Sequence, residues 1–108
     1  MQYALLAYGR QRSAGIDPAI AAILERPPVT GWVRLHPDES ATTLTHGDDR
    51  PLITDGPFID SKEYLAGLIL VEADNLDGAL AIARDFQEAR NGGAIEVRPV
   101  LGSTFRGP

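Results

Sequence analysis

The side chains best suited to chemistry cluster around one elbow in the chain. Asp55, Lys62 and Glu63 lie on the stretch from Leu52 to Glu63, with Gly56-Pro57 turning the backbone between them. A carboxylate near a lysine offers a proton acceptor beside an anion clamp. Asp55 is therefore a candidate catalytic residue, and Lys62 and Glu63 are candidate ligand-binding residues at the rim of a cleft. A plainer reading stands beside this one. Asp55 would accept hydrogen bonds from turn amides at Gly56–Phe58, with Phe58 anchoring the loop in the apolar layer beneath, and Lys62-Glu63 would be solvated or paired.

Glu96 and Arg98 form a second candidate group for ligand binding. They are two apart on one expected strand, so they share a face about 6.6 Å apart along it. If that face is covered they are charges at a buried cavity; otherwise they form a rim salt bridge worth roughly 0–1 kcal/mol. His36 is the third candidate, as a catalytic general base, since imidazole titrates nearest neutral pH. It shares a strand face with Trp32 and Arg34 and precedes Pro37 at a strand end. A single histidine is more often structural. His46, beside the hairpin Gly47, is expected to be exposed.

Other chemistries find little support. Two histidines among scattered carboxylates match no metal-ligand spacing, and no glycine-rich phosphate loop is present. Ser13, Ser40, Ser61 and Ser103 lack a nucleophile-elbow context. No cofactor is expected. The 108 residues carry a net charge of −5 with no Lys/Arg stripe, which argues against direct nucleic-acid binding. Cysteine is absent, so disulfides and thiolate metal sites are excluded and a cytoplasmic location is allowed. No apolar run approaches the roughly 20 residues of a membrane helix, and no signal peptide is expected.

The elements that must position these residues follow from periodicity. Residues 2–8 and 65–71 are apolar on both parities and read as central strands. Asp17-Pro18 starts a helix of about ten residues, short enough to need packing. Strands are expected over 29–36, 41–46, 50–55 and 94–100, with a hairpin turn at Gly47-Asp48-Asp49. Leu76, Ala79, Leu80, Ala83 and Phe86 form the stripe of a second helix, capped at Asp74-Asn75 and stopped at Asn91-Gly92-Gly93. This order gives one α+β domain over residues 1–100 and a tail over 101–108. Its sheet is expected to be ferredoxin-like, a split βαβ arrangement with an inserted β-hairpin. Two helices cover one sheet face, so the second face of the central strands needs cover. Leaving about 500 Å² of it wet would forgo about 12 kcal/mol, which points to a homodimer.

Asp55-Gly56-Pro57-Phe58, Lys62-Glu63, Gly67, Leu76-Asp77, Ala79-Leu80 and Glu96-Val97-Arg98-Pro99 together resemble the DGPF group of YCII-related proteins. Tyr3-Ala4-Leu5-Leu6, Tyr8-Gly9 and Thr42-Thr43 extend the resemblance over most of the chain. The resemblance implies a dimeric α+β barrel. It implies either a small-molecule ligand, with lyase-type chemistry in a cleft beside the sheet, or a protein partner in sigma-factor-dependent transcription initiation. Some members use a His–Asp pair, and one branch dehydrochlorinates an aromatic ring. The usual context of that histidine, near the first helix, holds no histidine here, and the first helix is shorter than in most members.

Overall fold

The computed structural model describes residues 1–10 and 15–105. Six strands and two helices follow in order: β1 (Gln2–Gly9), α1 (Pro18–Leu24), β2 (Val29–Arg34), β3 (Thr42–His46), β4 (Pro51–Asp55), β5 (Tyr64–Glu72), α2 (Leu76–Ala89) and β6 (Ala94–Pro99). The loop expected between Gly9 and Gly15, and the last tail residues, lie largely outside the described residues. Both helices start where local chemistry demands. The Asp17 carboxylate accepts from the Ala19 amide at 2.8 Å with Pro18 opening the helix, and Asn75 accepts from the Gly78 amide at 3.0 Å.

Four strands form one antiparallel sheet in the order β2-β5-β1-β6. The register divides its faces. Tyr3, Leu5, Ala7, Ile69 and Val71 point to one face, where they pack with Ile23 of α1 and Ala79, Ile82, Ala83 and Phe86 of α2. Leu5 and Val71 are fully buried at its centre. The other face carries Ala4, Leu6, Tyr8, Leu68 and Leu70, all only half-buried. The expectation that both faces of these strands are covered is therefore met on one face only, because both helices pack on the same side.

The expected ferredoxin-like sheet closed into a dimeric α+β barrel is corrected here. The four-stranded sheet is open and ends at β2 and β6, and β3 and β4 form a separate two-stranded sheet instead of closing it. What stands is an α+β fold with one small open sheet, two helices on one of its faces, and an inserted hairpin.

The hairpin is held mainly to itself. Its register pairs Leu44 with Ile53 and Thr43 with Thr54, and the Gly47 amide donates to the Arg50 carbonyl at 2.9 Å to close its turn. Leu44 and Ile53 are exposed on one face, and Thr43 and Thr45 are half-buried on the other. An isolated two-stranded hairpin is marginal in water, so this one depends on the loops at its base.

Candidate functional site

All four strands of the main sheet have one end at the same edge. Gly9, at the end of β1, faces Tyr64, the first residue of β5, and Tyr8 faces Ala94, the first residue of β6. The last residues of β2 reach the same edge, where the Leu35 amide donates to the Ala66 carbonyl at 2.9 Å. The β1–β5 register shifts here, between Ala7 and Tyr8, so that Ala66 is extra. An extra residue of this kind bends a strand and re-aims the side chains beside it. The hairpin is inserted between β2 and β5, so both its connections leave from this edge.

An open cleft of about 940 Å³ lies between that edge and the base of the hairpin. Tyr8, Leu65 and Ala94 form its wall on the sheet side. The loop after β2 contributes Leu35, His36, Pro37 and Asp38, and the elbow contributes Pro57, Phe58, Ile59, Ser61 and Glu63. Its floor is fixed by backbone. Ser40 donates to the Pro37 carbonyl at 2.6 Å, and Thr43 donates to the Gly56 carbonyl at 2.7 Å. Their hydroxyl protons are thus engaged. His36, Asp38 and Glu63 are the ionisable side chains along the wall, and Tyr8 and Tyr64 the phenols.

Arg90 sits behind this wall. Its guanidinium donates to the Tyr8 carbonyl at 2.7 Å, to the Ala94 carbonyl at 3.2 Å and to Gln87 Oε1 at 3.2 Å, with Cζ 5.9 Å from the centre of the Phe86 ring. Burial pushes the Arg90 pKa down from its ordinary value, and the nearby Glu63 carboxylate raises it. One side chain thereby ties α2, β1 and β6 together beside the cleft.

The sequence-derived candidates separate in space. His36 and Glu63 meet at the cleft. Lys62 and Asp55 are exposed and are not among its lining residues. The Lys62 carbonyl accepts from the Arg10 guanidinium. Glu96 and Arg98 lie on the open sheet face opposite Leu6 and Ala4, 4.0 Å apart and more than half exposed, which is the rim geometry. Two expectations at the elbow are corrected. Asp55 does not cap the turn: the Gly56 amide donates instead to the Ala41 carbonyl at 2.8 Å, at a φ of 98° that suits glycine. Phe58 is 76% exposed, so it does not anchor the loop in an apolar layer; the elbow stands away from the helix-covered core.

Asp38, Tyr8, Tyr64 and Ala94 also line the cleft, although their types and spacing single none of them out. For Tyr8, Tyr64 and Ala94 the signal is their position at strand ends; Asp38 lies in the loop after β2. A second, smaller crevice of about 70 Å³ lies on the helix-covered side, between Ile20, Leu24, Trp32 and Phe86. Among the described residues no group of three His, Asp or Glu side chains could hold a metal ion, and no helix is long and apolar enough to cross a membrane.

Comparison with known proteins adds two findings. The YCII-related domain family matches residues 1–104. An uncharacterized protein of Rhizobium meliloti (strain 1021) is 43% identical over 68 residues, which is 62% of this chain and 55% of that protein's own length. The match thus spans little more than half of that relative.

Proposed function

The chain belongs to the YCII-related family, and from that premise we propose that it binds a small molecule in the cleft between the sheet edge and the hairpin base. The observation that carries this reading is the convergence of His36, Asp38 and Glu63 on a single cleft walled by Tyr8, Leu35, Leu65 and Phe58. Ligand sites are typically concave and apolar with a few convergent polar groups. An imidazole with two carboxylates along one wall is also the equipment for moving a proton, so lyase-type chemistry fits the same place, with His36 as the base. The transcription-initiation reading draws support from the resemblance alone, with no feature of the cleft behind it.

The half-exposed apolar face of β1 and β5 supports self-association as a homodimer, independently of any barrel. Light scattering at micromolar concentration tests this: the mass of one folded chain would count against it. The ligand reading is tested by a thermal-shift screen against a metabolite collection. Binding in the cleft raises Tm for at least one compound, and His36→Ala reduces the rise. A collection that leaves Tm unmoved, or a rise indifferent to His36, removes the reading.

A further inference from the structure

The cleft's charge and wall chemistry narrow the kind of molecule it suits. Among the described residues its charged lining consists of Asp38, Glu63 and His36, with no Lys or Arg. Arg90 is committed behind the wall to the carbonyls of Tyr8 and Ala94 and to Gln87, and Arg10 donates to the Lys62 carbonyl. Arg90 offsets part of the Glu63 charge from outside and offers no donor to an anion within. Ser40 and Thr43 have given their hydroxyl protons to backbone carbonyls. The charged groups left to hold a polar ligand are therefore the Asp38 and Glu63 carboxylates, beside the neutral donors of Ser61 and Tyr8. An anionic ligand would meet two carboxylates, with no Lys or Arg among the described lining residues to offset them.

The remaining wall is apolar and aromatic. Tyr8, Phe58 and Tyr64 supply ring surface, and Leu35, Ile59 and Leu65 supply aliphatic surface. Ring faces attract cations as well as apolar groups. Carboxylates and aromatic rings in one cleft, with no Lys or Arg among its described lining residues, form the complement of an organic cation.

We propose that the cleft takes a primary amine carried on an apolar or aromatic body, its ammonium held by Asp38 and Glu63 and its body against Tyr8 and Phe58. This rests on the reading that the cleft is a binding site at all. It replaces the anion clamp that Lys62 would have supplied, since Lys62 does not line the cleft.

Three probes of like size test the class against the full chain: phenethylamine, 2-phenylethanol and 3-phenylpropionate, each titrated at neutral pH and followed by amide chemical shifts. The amine is expected to bind at least about tenfold more tightly than the alcohol or the acid. The double variant D38N/E63Q should lose that advantage while still binding the alcohol as before. Both substitutions are near-isosteric, Glu63 being exposed and Asp38 half-buried, and the probe comparison on the unaltered chain stands without them. Equal or tighter binding of the acid or the alcohol overturns the amine class and leaves the cleft as a site. If all three probes fail, the amine class is also overturned, and the metabolite screen alone then decides whether the cleft binds anything.

Discussion

The Arg90 guanidinium donates to the Tyr8 carbonyl across 2.7 Å, and so joins the end of α2 to the strand end that walls the cleft. The same group reaches the Ala94 carbonyl and Gln87. Charged hydrogen bonds of this kind contribute roughly 1.5–3 kcal/mol. Arg90→Met should therefore lower stability by about that amount in urea unfolding and weaken any ligand that contacts Tyr8. Arg90→Lys should recover only part of it, because an ammonium lacks the planar fork that spans several acceptors.

Gly93 lies against the same carbonyl. A Cβ at this position would sit 2.2 Å from the Tyr8 oxygen and 2.9 Å from Arg90 Nη2, and the backbone φ is 80°. Gly93→Ala combines backbone strain of about 1–3 kcal/mol with a contact that the strand ends must open to relieve. Thermal unfolding should show a larger loss for Gly93→Ala than for Gly102→Ala, where the added Cβ meets nothing within 4 Å.

At the elbow, the hydrogen bonds reverse the expected ranking of two residues. Thr43 donates to the Gly56 carbonyl at 2.7 Å, and Asp55 is exposed and does not hold the turn. Thr43→Val should cost roughly 0.5–1.5 kcal/mol by chemical denaturation. Asp55→Ala should fall within about 0.5 kcal/mol of the parent. A large loss at Asp55 with none at Thr43 would reinstate the capping role.

Core and elbow hydrophobic residues should separate just as clearly. Leu5 is fully buried between the helices and the sheet, so Leu5→Ala should cost about 2–5 kcal/mol. Phe58 is 76% exposed, and Phe58→Ala should change stability by less than about 0.5 kcal/mol. The same Phe58 variant should weaken a cleft ligand, which separates its binding role from folding.

Local chemistry made much of this fold legible in the sequence. Asp17-Pro18 and Asn75 start the helices because a cap needs only residues two or three positions away. The alternation of Ile95 and Val97 against Glu96 and Arg98 likewise reads directly onto the two faces of β6. Features that depend on distant neighbours were not legible. Phe58 resembles a core residue by type, yet its exposure is decided by where the hairpin base sits relative to the sheet. Tyr8, Asp38, Glu63 and Ala94 share a cleft because antiparallel pairing brings the ends of four strands to one edge, and no local spacing announces that. The apolar character of β1 and β5 on both parities was read correctly, but it shows a need for cover without naming what supplies it, and a closed barrel does not follow from it.

The most direct test of cleft binding is an amide chemical-shift map of the full chain titrated with a compound that raises Tm. Binding in the cleft predicts that the largest shifts fall at Tyr8, His36, Ala41, Glu63, Tyr64 and Ala94, which line one volume and are dispersed in sequence. Shifts concentrated instead at Ile20, Trp32 and Phe86 would place the ligand in the helix-side crevice, and would contradict the assignment of the cleft as the functional site.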